Sequence, residues 1–209
     1  MRPGRALLVA ISGIDGSGKG HVTSQVSASL AARGLRVAPL SVDPWLRLPH
    51  ERFDPADPSR HFYARAIRFE EMFETLVLPL RDRRSIRLEA DAVEETAIAY
   101  HRRRWEFDDV DVVLLEGIYL FQTPYRLHYD LACWLDCSFE TALERAIARG
   151  QEGLGPEETA RAYRSIYFPA QEIHFERDSP RESADVVFSN DPSGRPPAGA
   201  VTGRVAASS

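Results

Sequence analysis

The chain has 209 residues, 44% of them hydrophobic and 27% charged, the balance of one soluble globular domain large enough for a full core. Its net charge of -5 argues against nucleic acid as a partner, and no apolar run reaches the roughly 18 residues that a membrane span needs. The two cysteines, Cys133 and Cys137, stand four apart in a strand-like run and read as buried thiols rather than a disulfide or metal pair.

Ala6 to Ser12 is a short apolar run that reads as a buried strand. With Arg2 and Arg5 ahead of it, it faintly mimics a leader. It is too short for one and runs into the next motif rather than a cleavage site, so a cytoplasmic location is expected. That motif is Gly13-Ile14-Asp15-Gly16-Ser17-Gly18-Lys19. Gly, four residues and then Gly-Lys, between a strand and a helix, is the pattern of a phosphate-binding loop. The glycines permit the tight turn, and the loop amides with the next helix N-terminus point at phosphate oxygens. Gly13, Asp15, Gly16, Ser17, Gly18, Lys19, Gly20 and His21 are the expected nucleotide contacts. Lys and Arg total 26, yet Lys19 is the only lysine, which marks a position where an arginine fork cannot replace a flexible ammonium. After the lysine the pattern expects a Ser or Thr whose hydroxyl ligates Mg²⁺. Here Gly20 stands instead, and Thr23 is one helical turn further on.

Lys19 to Arg33 reads as a helix closed by Gly34, and Arg36 to Val42 as a second strand ending at Asp43-Pro44-Trp45. Residues 46–61 read as loop, with Pro49, Pro55 and Pro58. The spacing of Ala66, Phe69, Phe73, Leu76 and Leu80 predicts one helix over Phe62 to Leu80. Ser85 to Leu88 and Ala97 to Phe107 read as short strands around an acidic turn, Glu89 to Glu95. Val110 to Leu115 is the clearest buried strand and runs into Glu116-Gly117. Leu131 to Leu135 is another, ending at Asp136. Phe139 to Arg149 reads as an amphipathic helix, and Pro156 starts a further helix to about Tyr167, with Pro169 bending or restarting it. Ala184 to Ser189 is the last strand. The Pro-, Gly-, Ala- and Ser-rich stretch over 191–209 is expected to be a disordered tail, leaving one domain over 1–190.

Strands alternating with helices predict a doubly wound α/β fold with a mostly parallel sheet, whose ligands sit at the carboxyl ends of the strands. The loop, Asp43, Glu116 and Asp136 all fall there. Phosphoryl transfer needs positioning, a metal and charge stabilisation. Asp43 can take the proton of an attacking hydroxyl and, with Glu116, hold Mg²⁺. Asp136 reads as structural. Arg145 and Arg149, four apart on one helix face, can carry positive charge to the phosphates at the edge of a small lid. The Arg102-Arg103-Arg104 run and Arg81, Arg83 and Arg84 read as solvated faces.

With Gly13 to Lys19, Asp43, Leu115-Glu116-Gly117-Ile118 and Ser183-Ala184-Asp185-Val186-Val187 in place, the chain resembles the uridine kinase family. These are P-loop kinases related to phosphoribulokinase and bacterial pantothenate kinase. The resemblance implies ATP and Mg²⁺ as cofactors, Lys19 and Asp43 as catalytic residues and Glu116 as a metal ligand. It also implies a substrate pocket shaped by Trp45 and Tyr63, with a ribose-binding carboxylate at Asp54 or Asp57. The acceptor it implies is a small-molecule hydroxyl, with no nucleic acid or membrane partner and a homo-oligomer left open. The departures are Gly20, the acidic Glu89 to Glu95 where the family reads a pyrimidine, and a lid shortened to residues 151–155. The kinase chemistry therefore carries over further than nucleoside specificity. The alternatives are a kinase of another small alcohol, as in phosphoribulokinase or pantothenate kinase, and an ATP-binding regulator without turnover. A guanine-reading Asn-Lys-x-Asp motif is impossible with a single lysine.

Overall fold

The computed structural model describes residues 4–150 and 153–192. Its centre is a five-stranded sheet, all parallel, built from β1 (Leu7–Gly13), β2 (Val37–Ser41), β5 (Val112–Gly117), β6 (Leu131–Asp136) and β7 (Val186–Ser189), in the order β2-β5-β1-β6-β7. β1 and β5 are almost wholly buried, as strands covered by helices on both faces must be. The register is what places the site. Ser41 lies opposite Glu116, Glu116 opposite Ile11, and Gly13 opposite Leu135. The ends of three neighbouring strands are therefore level, and the segments leaving them meet in one crevice.

Helix α1 (Lys19–Ala32) starts directly from the loop, and Gly34 follows it with a positive φ. The stretch expected as loop over 46–61 instead holds α2 (Pro49–Arg52) and the start of α3 (Pro58–Arg65). Pro49 and Pro58 sit in the first helical turn, where their fixed φ suits the helix and no N–H is needed, while Pro55 stays in the turn between the two helices. The Asp57 carboxylate caps α3 by accepting from Arg60 N at 3.2 Å, and Glu51 accepts from Leu48 N at 3.1 Å ahead of α2.

The single helix expected over Phe62 to Leu80 is broken. Its chain leaves α3, forms a bridge between Leu46 and Ile67, and resumes as α4 (Phe69–Met72), a π turn (Phe73–Val77) and α5 (Leu78–Arg83). The same device recurs after α6 (Thr123–Arg126) and α7 (Phe139–Arg149), where α8 (Pro156–Ala162), a π turn (Tyr163–Tyr167) and α9 (Phe168–Asp178) run on without a break. Each π turn ends two residues before a proline, Pro79 or Pro169. A proline ring lacks the N–H and crowds the carbonyl four residues back, and the wider turn absorbs this without ending the helix. Pro169 thus does not restart a separate helix.

β3 (Ile86–Ala92) and β4 (His101–Phe107) form a separate antiparallel hairpin. Of the acidic residues expected in a turn, Glu89 and Asp91 continue β3 while Glu94 and Glu95 lie beyond its end, and Arg102 bridges Glu89 and Asp91 across the pair. Val186–Ser189 is shorter than the last strand expected. Asp191, expected in the tail, is tied down: its carboxylate accepts from Ser138 N at 3.2 Å and Thr141 Oγ1 at 3.0 Å. The rest of the expected tail, from residue 193, lies outside the described residues. No helix among those described is long and apolar enough to cross a membrane.

Trp45 joins the hairpin to the main body. It is fully buried, stacks on Trp105 at 5.3 Å between ring centroids, and lies under the Arg68 guanidinium at 5.2 Å. Trp45→Ala should therefore cost about 3–5 kcal/mol of stability, read as a lower denaturant midpoint. A loss under 1 kcal/mol would show that the hairpin does not depend on this contact.

Candidate active site

The loop after β1 is shaped by two glycines in the left-handed region, Gly16 at φ 77° and Gly18 at φ 90°. A Cβ at Gly16 would fall 2.5 Å from Ala142 O, and one at Gly18 would fall 2.7 Å from Asn190 Nδ2. Neither conformation nor space admits a side chain. Ser17 O accepts from Asn190 Nδ2 at 2.7 Å and from Arg145 Nη1 at 3.2 Å. Gly13 is a packing glycine, since its Cβ would strike Leu135 O at 2.5 Å. Lys19 is buried, and its Nζ donates to Ile14 O at 2.9 Å. Asp15 accepts from Gly16 N at 2.8 Å and from the Tyr163 hydroxyl, and Arg149 approaches it to 3.6 Å.

A cavity of about 370 Å³ opens in front of this loop. Asp15, Gly16, Gly18, Lys19, Gly20, His21, Asp43, Glu116 and Arg149 line it, so the structure brings most of the sequence-predicted residues together. Arg145 does not line it; its guanidinium supports the loop from behind, donating to Ser17 O and, at 2.8 Å, to Asn190 O. The four residues expected at the substrate are elsewhere. Trp45 is core. Tyr63 gives its hydroxyl to Asp178 and borders a different cleft with Gln122 and Arg177. Asp54 accepts from Ala56 N at 2.9 Å in its own turn, and Asp57 caps α3 and pairs with Arg60 at 3.1 Å. None of the four borders the cavity, because each is committed to local backbone or core packing. Asp136 accepts from Trp134 Nε1 at 3.0 Å and Arg181 Nη2 at 2.6 Å, a structural post as expected.

Burial raises the pKa of Asp43 against the pull of Lys19, with Asp15 adding to the rise. Glu116 is raised for the same leading reason, desolvation, again opposed by Lys19. Ser41 lies between them and was missed in the sequence. Its Oγ accepts from Asp43 N at 3.2 Å, and its hydroxyl works against the rise at both carboxylates. The signal was its position as the last residue of the strand that ends just before Asp43, level with Glu116 on the neighbouring strand.

Among the described residues no cluster of three or more His, Cys, Asp or Glu could hold a metal by itself. The donor set is instead two carboxylates and a hydroxyl beside a phosphate loop, all oxygen, which suits a Mg²⁺ ion that keeps waters and takes phosphate oxygens. One orphan atom supports the fit. Thr23 Oγ1 is buried without a partner and lines a groove shared with Gly20, Ser41 and Glu116, where it can hold a metal-bound water.

A profile of the family described as methylmalonyl Co-A mutase-associated GTPase MeaB matches residues 1–47, the stretch that contains the loop. A search by sequence for relatives among curated proteins finds no match. The structure is similar to that of "a possible uridine kinase" from Bacillus stearothermophilus, with TM-score 0.71 and 20% identity over 90% of this chain and 91% of that one. It is also similar to D-glycerate 3-kinase from Cryptococcus neoformans, with TM-score 0.64 and 14% identity over 92% and 88%. Phosphoribulokinase from Rhodobacter spheroides gives TM-score 0.61 and 15% identity over 88% and 70%. The chain has the P-loop kinase fold. These kinases share its parallel sheet and loop at identities that speak to fold and leave the acceptor open.

A Cβ on Gly20 would meet nothing within 4 Å, so Gly20→Ser should fold and place a hydroxyl at the metal. The Mg²⁺ concentration for half-maximal nucleotide-dependent activity should fall at saturating ATP. An unchanged or higher midpoint in a folded variant would refute the missing-ligand account.

The raised carboxylates make a second prediction. A carboxylate whose folded pKa is raised supports the fold fully only below its unfolded pKa, and that support is lost as pH rises through the folded value. Ionised Glu116 thus weakens the unliganded fold at neutral pH, and Glu116→Gln should raise its Tm there. The gain should vanish below about pH 4, where the unfolded carboxyl also holds its proton. A Tm difference that persists in acid would assign the effect to packing.

Proposed function

We propose that this chain is an ATP- and Mg²⁺-dependent kinase that transfers the γ-phosphate of ATP to a hydroxyl of a small molecule. The observation that carries the reading is the convergence of Asp43, Glu116 and Lys19 on one cavity at the phosphate loop. A module that only bound nucleotide would need the loop and Lys19. It would not need a second buried carboxylate facing the phosphates.

The loop amides and Lys19 bind the phosphate oxygens, which requires Lys19 to leave Ile14 O. Arg149 stands at the rim, held toward Asp15, and is placed to add charge as phosphoryl transfer proceeds. Asp43 orients the acceptor hydroxyl and takes its proton as the oxygen attacks. Burial lifts its basicity towards the working pH, which favours general-base action. Glu116 and Ser41 would hold the metal and its waters, and bound Mg²⁺ supplies neutralisation of charge on the phosphates. Gly20 favours a second reading, nucleotide binding without turnover, and one experiment separates the two. ADP release is measured against nucleosides, sugars, sugar acids and pantothenate-like alcohols. An acceptor that stimulates release supports the kinase; nucleotide binding with no stimulation by any of them supports the regulator.

Under the kinase reading, Asp43→Asn should lower kcat by roughly 10²–10⁴ while changing ATP affinity much less. Lys19→Ala should abolish turnover in a folded protein. An Asp43→Asn enzyme that lost ATP binding but kept its chemical rate would move Asp43 from the acceptor to the nucleotide.

A further inference from the structure

The part of the cavity away from the loop is walled by Phe62 and Tyr167, whose rings meet edge to face at 5.0 Å. Three polar side chains interrupt this wall, Arg52 from α2, Glu95 from the segment between β3 and β4 and Gln171 from α9. Arg52 is 5% exposed and Gln171 1%. Arg52 and Gln171 each have a buried atom with no hydrogen-bond partner, Arg52 Nε and Gln171 Oε1. Leaving such atoms unpaired is costly, and more so for a charged group. Here one is a donor and the other an acceptor, and both residues face the cavity into which Asp43 projects.

We propose that the phosphate acceptor is a small hydroxylated acid, its carboxylate or phosphate bound by Arg52 and one of its hydroxyls donated to Gln171. The inference rests on the kinase reading above and names its substrate class. A neutral hydroxyl could fill the Arg52 Nε–H valence, but it would leave the guanidinium charge in an aromatic-walled cavity. That charge is answered only in part. One of the two outer nitrogens of Arg52, Nη2, donates to the backbone oxygen of Glu95, and Phe53 lies under the guanidinium at 5.4 Å. Glu95 is the carboxylate that faces Arg52, with Tyr167 and Tyr100 beside it, and Glu95 is half-buried, so part of its field is spent in solvent. An oxyanion against the guanidinium would form a charge-assisted bond, the stronger kind, on the side of Arg52 that lines the cavity. Size points the same way. The cavity of about 370 Å³ must hold the end of the triphosphate as well as the acceptor. A second cleft continues past Arg52 and Tyr167 between Phe53 and Leu154, a path by which the acid can enter.

The test compares matched acceptors with wild-type enzyme and Arg52→Gln: glycerol against glycerate, ribose against ribose 5-phosphate, and uridine as the nucleoside. The wild type should use the acid of at least one pair with kcat/KM at least about tenfold above its neutral partner. The pair that responds tells carboxylate from phosphate. Arg52→Gln should raise KM for that acid by about 10–100-fold, the worth of a hydrogen bond to a charged group. KM for the neutral partner should rise far less, and kcat should fall less than KM rises. Arg52→Lys, which keeps the charge, should recover part of the loss and serves if Arg52→Gln does not fold. A preference for uridine or the neutral members overturns the proposal, as does an equal rise in KM for acid and neutral acceptors. If nothing is phosphorylated, calorimetric titration of glycerate and ribose 5-phosphate into the protein with a non-hydrolysable ATP analogue decides. Acid binding that Arg52→Gln removes supports the acid site while the kinase reading fails, and absence of binding overturns the site.

Discussion

A backbone that turns its N–H groups toward phosphate must turn its carbonyls away, and a buried carbonyl needs a donor. In this protein the Ser17 carbonyl meets that demand with two, Asn190 Nδ2 and Arg145 Nη1. The loop is therefore shaped by the far end of the chain. Asn190 follows β7, Arg145 lies on α7, and the two are joined through Asn190 O. Asp191 then fastens this corner to Ser138, the N-cap of α7. Gly16 and Gly18 are glycine because this backing stands so close that a Cβ would occupy the same space as Ala142 O or the Asn190 amide.

The loop is cationic in effect, and the strand ends next to it are anionic. Level register brings Ser41, Glu116 and Asp43 to the mouth of the same crevice that Lys19 enters. Burial holds both carboxylates above their ordinary pKa even though Lys19 pulls them down. A site in that condition is incomplete by its own electrostatics. Lys19 rests on Ile14 O, and the carboxylates lack a full counter-charge. A divalent cation with a phosphate chain would relieve both at once, since each phosphate oxygen gains a cation and each carboxylate a ligand partner.

What could be read from the sequence follows from how local each signal is. The loop, β1 and α1 share one unbroken stretch, and the glycines state its backbone conformation. Asp43 and Glu116 were legible because a strand end after an apolar run is where doubly wound sheets collect ligands. The acceptor side was not legible in this way. Trp45 and Tyr63 are aromatic residues near the base, but their partners, Trp105 and Asp178, come from other parts of the chain. Asp54 and Asp57 resemble sugar ligands in a list of residue types, yet each closes a local turn or cap. Arg52 and Gln171 have no local pattern at all; only folding shows that both face one cavity. The prolines of residues 49–58 misled for a similar reason, since the same residue that breaks a helix also begins one.

Pro169 shows how a local irregularity reaches the site. In a regular α-helix a four-residue step overshoots a full turn by about 40°, so Tyr163, Tyr167 and Gln171 would wind progressively off one face. The π turn over Tyr163–Tyr167 has more residues per turn and takes up that excess. Tyr163 and Tyr167 then stack edge to face at 5.1 Å. Tyr163 reaches Asp15 at the loop, while Tyr167 and Gln171 line the cavity. One helix thereby touches both the loop and the far wall of the crevice. The proline that forces the wide turn sits two residues beyond it, where the missing N–H would otherwise have closed a regular α-helical turn. The backbone defect and the alignment of the wall are thus one feature, and a helix without it would present a different set of side chains to the cavity.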